Sequence, residues 1–236
     1  MSLLRSSFGA ALLLATGPTG GRALQRDEAV VRLEGANLEP ALAVYDAALG
    51  RRARRAATLG QRWTRGLRGY CLLKAGAPAT VLWVARVFYD VFPLRLRVDL
   101  EESSAMIFDE ATVPGLRRQG LLGALIRQVW EEERWETVGC CIREDNADSL
   151  AANGRIGFQR SHDVTLEHLG GVIRRHGVRA AASSVERVFW SLATVWENRR
   201  RLGATLTAGG YGRFRLTLAS DPLAQRKISR DIHQGQ

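Results

Sequence analysis

Lysine and cysteine are both scarce in this chain. Only Lys74 and Lys227 are lysines among its thirty-four basic residues, and its 236 residues include three cysteines and four histidines. Two of the cysteines, Cys140 and Cys141, are adjacent on a predicted strand and the histidines are scattered, so neither a disulfide framework nor a metal site is predicted. Such cysteine usage favours a reducing compartment, and we expect the protein in the cytoplasm.

Long apolar runs are also missing. The longest, Phe8–Ala15, is too short to span a bilayer and marginal as the core of a signal peptide, so no membrane span is predicted. Because Gly17–Gly21 (Gly-Pro-Thr-Gly-Gly) resembles a flexible link, residues 1–26 are predicted to form a loose arm. With 46% hydrophobic residues, the chain can bury one substantial core. We expect a single domain over 27–218 and a frayed tail over 219–236.

Acidic residues are few outside the middle of the chain. Residues 99–148 hold twelve acids and five arginines, a net charge of −7, which leaves +17 on the flanks for an overall charge of +10. The densest basic stretches, 51–68 and 174–201, have the charge to attract RNA, an acidic protein or an anionic membrane surface. No aromatic-interleaved nucleic-acid module accompanies them, and the shortage of lysine indicates arginine-rich codon usage. Nucleic-acid binding is therefore not predicted.

The middle of the chain contains a strand, a turn and a helix joined by a distinctive loop. Ala105–Val113 is a short apolar run that a Pro-Gly pair ends, and apolar residues then recur at helical spacing. The connecting Arg/Gly loop (residues 114–120) contains Arg117, Arg118 and Gly120. N–H groups at a helix start lack internal partners, a glycine lets a phosphate approach the backbone, and arginines add charge-assisted hydrogen bonds. The loop is therefore a candidate anion site.

A second strand-to-helix junction follows in the sequence. Thr137–Ile142 predicts the next strand, a charged turn covers 143–145, and a short helix begins near Asn146. Asparagine is a preferred helix-capping residue, and capping alone would explain Asn146.

The first junction resembles the pyrophosphate loop of the Gcn5-related N-acetyltransferase superfamily. That loop runs Gln/Arg-x-x-Gly-x-Gly/Ala, and Arg117 and Gly120 match it. Leu122 stands in the last position, where the family has a small residue, and it narrows the space expected beside the phosphates.

The second junction resembles the other signature of the same family. An Asn, a small residue three positions later and a Gly-Phe pair are matched by Asn146, Ser149, Gly157 and Phe158. Asn153 departs from the family pattern, because many members have at this place a tyrosine thought to protonate the leaving thiolate. The resemblance covers about residues 70–168.

This resemblance implies an α/β (α+β) fold with a mixed, mostly antiparallel central sheet flanked by helices. It also implies that acetyl-CoA, or another acyl-CoA, binds in the splay between the Ala105–Val113 and Val138–Ile142 strands. The coenzyme contacts that it implies are Thr112, Val113, Arg117, Arg118, Gln119, Gly120, Leu121, Leu122, Gly123, Asn146, Ser149 and Asn153.

The implied reaction is acetyl transfer by direct attack of an amine, carried by a small molecule or a protein. Asp109 and Glu110 are the candidate bases, and strand alternation sends their side chains to opposite faces, so at most one of them is expected to face the substrate. Strand N–H groups near Val113 are expected to polarise the thioester oxygen. Asn153 and Leu122 keep open a different class, a catalytically silent acyl-CoA-binding or regulatory module.

Further elements are predicted outside the two junctions: strands Gly69–Lys74 and Ala79–Arg86 in a hairpin, helices over 51–67 and 183–201, and a hairpin over 204–218. The helix over 183–201 is expected to serve packing or a homodimer contact. Trp83 and Tyr89 are candidates to line an acceptor pocket, although burial explains such aromatics equally well.

Overall fold

The computed structural model describes residues 5–17, 20–34, 37–50, 59, 62, 66–91, 96–169, 173–180, 186–192 and 212–215. The strands within them are β1 (Arg5–Ala15), β2 (Glu28–Leu33), β3 (Arg68–Lys74), β4 (Ala77–Ala85), β5 (Phe88–Val91), β6 (Leu96–Asp99), β7 (Ser104–Thr112), β8 (Thr137–Arg143), β9 (Gln159–Leu169), β10 (Ile173–Ala180), β11 (Glu186–Leu192) and β12 (Gly212–Arg215). The helices are α1 (Glu39–Leu49), α2 (Leu121–Glu133) and α3 (Ala147–Ile156), and a 3-10 turn covers Pro114–Leu116.

Nine of these strands form one large sheet in the order β11-β10-β9-β1-β8-β7-β4-β3-β2, and β12, β6 and β5 form a small one. All neighbours in the large sheet are antiparallel except β7 and β8, which run parallel. A parallel pair needs a crossover connection, which α2 provides. This confirms the predicted mixed, mostly antiparallel sheet with flanking helices, and the hairpin predicted for β3 and β4 is present as well.

Both faces of the large sheet are covered by apolar side chains. On one face Leu125 and Val129 of α2 pack with Ile107 of β7, and we call this cluster the helix-side core. On the other face Met106 of β7 packs with Val98 of the small sheet. Adjacent strand residues point to opposite faces, which explains why Met106 and Ile107 belong to different clusters. Burying a Leu, Ile or Val side chain stabilises a fold by about 1.5–3 kcal/mol, so strands placed between two such cores are strongly held.

The predicted loose arm over residues 1–26 is wrong for β1, which lies in the middle of the large sheet. It pairs antiparallel with β8 on one side and β9 on the other. Ala11 and Leu13 belong to the helix-side core, whereas Ala10 and Leu12 belong to the cluster on the opposite face. A strand buried on both faces reads as an unbroken apolar run and lacks the polar alternation of a half-exposed strand.

The helix predicted over 183–201 is also wrong where the structure describes it. Residues 186–192 form β11, which pairs antiparallel with β10 along its length. Val188, Phe189 and Trp190 are residues that favour strands, and pairing with β10 overrides the helical spacing of the apolar positions.

Several predictions fall largely outside the described residues. The helix over 51–67 is described only at Leu59 and Arg62, and the tail over 219–236 is not described. Of the hairpin over 204–218, only β12 is described, and it pairs in parallel with β6. The homodimer remains a prediction. In the described part of the chain, no helix has the length and apolar character needed to cross a membrane.

Candidate functional site

A gap opens between β7 and β8 where their parallel pairing stops. The last paired residues are Ile107 and Cys140, beyond which the described parts of the two strands do not pair with each other. The gap holds a cavity of about 240 Å³. Among the side chains lining it are Tyr89, Asp109, Glu110, Cys141, Arg143, Asn146 and Ser149. The fold therefore brings the two acids of β7 and the start of α3 to one place.

A β-bulge lies at the two acids, and both of them line the cavity. Trp83 pairs with Phe108 and Val81 with Ala111, so the single residue between Val81 and Trp83 is opposite both Asp109 and Glu110. The backbone of Asp109 has a φ of 53°, in the left-handed region that a non-glycine residue rarely adopts. Such bulges re-aim side chains and are common beside active sites.

Asp109 is held by contacts on the side of α1. Its Oδ2 lies 2.7 Å from Nη1 of Arg62, and its carbonyl oxygen accepts a 2.6 Å hydrogen bond from the Tyr45 hydroxyl. The Arg62 guanidinium in turn lies over the rings of Trp83 and Phe108, 5.3 and 5.2 Å from their centroids. Asp109 is therefore the counter-ion of a largely buried arginine, a structural task that competes with a role as base.

Glu110 has no such counter-ion among the described residues. Its Oε1 is buried and has no hydrogen-bond partner there. Burial, and secondarily the charge of Asp109, raises the pKa of Glu110 to about 7. The carboxyl group of Glu110 therefore changes protonation near neutral pH.

Tyr89 and Cys141 also line the cavity, and both are held in their protonated forms. Burial raises the pKa of Tyr89 well above its usual value, with further contributions from the charges of Cys141, Glu110 and Asp109. The Tyr89 ring packs on Phe108 with a centroid separation of 5.0 Å. Burial raises the pKa of Cys141 to about 12, so it is a poor nucleophile at neutral pH. Tyr89 therefore lines the site, whereas Trp83, the other predicted aromatic, is fully buried.

The Arg/Gly loop lies at the end of β7 and leads into α2. Arg117, Arg118, Gln119 and Gly120 are all exposed, and the Nε of Arg117 donates to the Thr112 carbonyl at 3.4 Å. Gly120 immediately precedes α2 with a φ of 73°, a conformation that favours glycine. Its carbonyl accepts the N–H of Ala124, so the N–H groups of residues 121–123 lie before the first helical hydrogen bond.

Two predicted contacts at the ends of this loop have other roles. The N–H of Val113 donates to the Ala79 carbonyl at 3.0 Å, so among the strand N–H groups near Val113 its own is not available to a thioester oxygen. Successive N–H groups of a strand point in opposite directions, and the N–H of Thr112 therefore points away from β4, towards the gap. Leu122 is half-buried and packs against the helix-side core, which accounts for a large residue at this position.

The start of α3 is organised by its own side chains. Oδ1 of Asn146 accepts the N–H of Ser149 at 3.2 Å, which is the capping contact that the sequence predicted. Asn153 is fully buried, donates its side-chain amide to the Ser149 carbonyl at 3.1 Å, and does not line the cavity. Gly157 ends the helix at a φ of 109°, and Phe158 enters the helix-side core.

One residue beside the loop was missed by the sequence reasoning. Arg22 donates from Nε to the carbonyl of Gln119 at 3.2 Å, and its side chain lies against Gly120. Arg22 and Gln119 are 97 positions apart, and Arg22 falls within the segment that is predicted to be a loose arm. No spacing or motif could have connected them.

Comparison with solved structures agrees with this fold. A functionally unknown conserved protein from Staphylococcus epidermidis is similar at 13% identity with a TM-score of 0.51, over 69% of this chain and 61% of that one. An acetyltransferase of the GNAT family from Colwellia psychrerythraea has 13% identity and a TM-score of 0.49 over 69% and 56% of the two chains. A putative GNAT-family acetyltransferase from Novosphingobium aromaticivorans has 17% identity and a TM-score of 0.47 over 68% and 63%.

The chain thus spans less than two thirds of the length of each of these structures. No protein-family model and no curated protein matches its sequence. At such identities a structural likeness shows the fold alone. The mostly antiparallel sheet, the splayed parallel pair and both strand-to-helix junctions are present, as the resemblance to the Gcn5-related N-acetyltransferases implies.

Proposed function

We propose that this protein transfers an acyl group from acetyl-CoA, or another acyl-CoA, to an amine. The observation that carries the proposal is Glu110, whose buried carboxyl oxygen has no hydrogen-bond partner among the described residues and whose pKa is raised to about 7. Structural carboxylates are normally paired when buried, because an unpaired one costs free energy. A general base, in contrast, works best with a pKa near the operating pH.

The residues around the gap fit an acyl-CoA. The thioester arm is expected to lie along the unpaired edge of β7, where the Thr112 N–H points into the gap. The pyrophosphate is expected at the start of α2, where the N–H groups of residues 121–123 and the positive end of the helix dipole lie, and the exposed Arg117 and Arg118 precede this helix by a few residues. Gly120 adds no side chain that would separate a phosphate from this backbone.

Acetyl-CoA supplies an activated acyl group, which forms an amide with the amine as the C–S bond breaks. In our proposal Glu110 accepts the proton that the amine loses, and the Thr112 N–H donates to the thioester oxygen. The hydroxyl of Tyr89 lines the same cavity and is protonated at neutral pH, so it can supply a proton to the departing sulfur. Holding both reactants in the gap contributes several kcal/mol by itself.

A catalytically silent acyl-CoA-binding or regulatory module is the second candidate function. Asn153 favours it, since a buried amide that already donates to the Ser149 carbonyl cannot act as an acid. The unpartnered Oε1 of Glu110 favours the enzyme, because a purely binding site gains nothing from a buried carboxyl oxygen without a hydrogen bond. The acceptor is an amine of a small molecule or of a protein.

Calorimetry with acetyl-CoA, followed by an assay of released thiol with a panel of amines, tests both candidates. We expect micromolar binding that the double variant Arg117→Gln/Arg118→Gln weakens by tenfold or more. Arg134→Gln is the matched control, because Arg134 is an exposed arginine at the opposite end of α2. Binding without turnover for any amine would support the silent module, and no binding by the wild type would reject both candidates.

A further inference from the structure

Arg22 is fixed by an unusually complete set of contacts. Its Nη1 and Nη2 donate to the two carboxylate oxygens of Glu28 at 2.7 and 2.6 Å, and Nη1 also donates to the Ala23 carbonyl at 2.9 Å. The Glu28 side chain is fully buried and accepts a second cation, Nζ of Lys74, at 3.2 Å. The hydrogen bonds from Arg22, followed by those from the Gln25 backbone and Lys74, lower the pKa of Glu28 to about 2 against the effect of burial. The guanidinium is therefore held in one orientation.

The segment that carries Arg22 is itself fixed between α2 and α3. The N–H of Gly20 donates to the Ile156 carbonyl at 2.8 Å, and Nη1 of Arg127 donates to the Gly21 carbonyl at 3.2 Å. A Cβ on Gly21 would lie 2.3 Å from the carbonyl oxygen of Gly123, and one on Gly20 would meet the backbone of α3 at 2.1 Å. Two glycines in succession allow this segment to lie directly on both helices.

The remaining contact of Arg22 sets the orientation of one peptide in the Arg/Gly loop. Nε donates to the Gln119 carbonyl, and in a trans peptide the N–H of the following residue points the opposite way. The N–H of Gly120 therefore points away from Arg22. It has no acceptor among the described residues. This places one more backbone donor beside those of residues 121–123.

We propose that Arg22 is a positioning residue for the coenzyme: it fixes the Gln119–Gly120 peptide so that the Gly120 N–H is available to a phosphate oxygen. The inference rests on the proposed function. Four of the five N–H groups of the guanidinium already have protein acceptors, so Arg22 acts through the loop rather than by binding the phosphate.

Arg22→Met tests this inference, because it keeps the aliphatic stem and removes the guanidinium. Lys74→Met is the matched control: it also removes one cation from Glu28, but Lys74 does not contact the loop. We expect Arg22→Met to weaken acetyl-CoA binding about tenfold, the factor that corresponds to one charge-assisted hydrogen bond. Lys74→Met should leave the affinity unchanged. Arg22→Lys should behave like Arg22→Met, because a lysine keeps the charge but cannot contact Glu28 and Gln119 together.

S-acetylpantetheine separates positioning from a general loss of structure, because it carries the thioester but no phosphate. Its use as acyl donor should be the same in Arg22→Met and the wild type. If Arg22→Met does not fold, the double variant Arg22→Met/Glu28→Gln should be used instead. It removes the buried charge of Glu28 that Arg22→Met leaves without its main partner, and its acetyl-CoA affinity tests the same inference. Three results would overturn this inference but not the proposed function: an acetyl-CoA affinity of Arg22→Met equal to that of the wild type, a wild-type affinity in Arg22→Lys, or an equal loss of affinity in Lys74→Met. A wild type that binds no acetyl-CoA would overturn it together with the proposed function.

Discussion

Replacing Glu110 by glutamine should make the protein more stable at high pH and less active. The pKa of Glu110 is about 7 in the folded protein and 4.5 for an unperturbed carboxyl. Between these two pH values the folded state binds more protons than the unfolded state, so the free energy of unfolding decreases as the pH rises through this window. Because glutamine does not ionise, the free energy of unfolding of Glu110→Gln should not show this decrease.

The size of the effect follows from the pKa difference. A shift from 4.5 to about 7 corresponds to about 3 kcal/mol, at 1.36 kcal/mol per pH unit. Glu110 is partly exposed although its Oε1 is buried, and partial exposure to solvent reduces the cost of the charge. We therefore expect the free energy of unfolding of Glu110→Gln to exceed that of the wild type by about 1–3 kcal/mol at pH 8, and the two to be nearly equal at pH 4.5.

Urea unfolding of both proteins at pH 4.5, 6 and 8 measures this difference. The same preparations should show loss of amine acylation in the variant, while acetyl-CoA still binds. In the wild type, kcat/KM should rise with pH through an apparent pKa near 7. Asp109→Asn should shift that rise to lower pH, because the charge of Asp109 is the second cause of the raised pKa.

A stability difference between wild type and Glu110→Gln that is the same at pH 4.5 and 8 would refute the reasoning. It would mean that the carboxyl is either solvated or paired in solution. Unchanged turnover in the variant would separately remove Glu110 from the mechanism.

Three other predictions concern single side chains. Tyr89→Phe should lower kcat by roughly 10²-fold without changing the Kd of acetyl-CoA if Tyr89 supplies a proton, and steady-state kinetics with calorimetry distinguishes this from a binding role. Leu13→Ala should lower the free energy of unfolding, measured with urea, by about 3 kcal/mol because Leu13 is buried in the helix-side core. The same substitution in a loose arm would leave the free energy of unfolding almost unchanged. Hydrogen bonds from two arginines hold the pKa of Asp163 below its usual range although burial opposes them, so Asp163→Asn should destabilise the protein at neutral pH. This destabilisation should disappear as the pH falls through the folded pKa, and equal destabilisation at pH 3 and pH 7 would contradict it.

The sequence predicted the site best where local chemistry determines the structure. The strand, loop and helix from β7 to α2 follow from an apolar run, a Pro-Gly pair and helical spacing, and Asn146 caps α3 as its residue type suggested. These features depend on contacts between residues only a few positions apart. The structure of these segments can therefore be predicted from the types and the spacing of neighbouring residues.

Other features depend on distant partners or on backbone geometry that residue types do not reveal. Nothing in the sequence shows that Asp109 adopts a left-handed conformation, or that both acids at this bulge line the gap although strand alternation predicts at most one. The sequence also does not show which of the N–H groups near Val113 pair with β4 and which point into the gap. Arg22 contacts a loop 97 positions away in the sequence. The apolar run of β1 can be recognised as a strand only when its two neighbouring strands are known.

The central position of β1 has a consequence for folding during synthesis. Its partner residues in β8 are made about 125 positions later, and those in β9 later still. At roughly 5–20 residues per second, the apolar strand waits on the order of ten seconds before it can pair. During this time a segment that will be buried on both faces is exposed, and the gap between β7 and β8 cannot take its final shape. Chaperone binding to nascent chains should therefore concentrate on β1, and completion of the proposed acyl-transfer site should be among the last steps of folding.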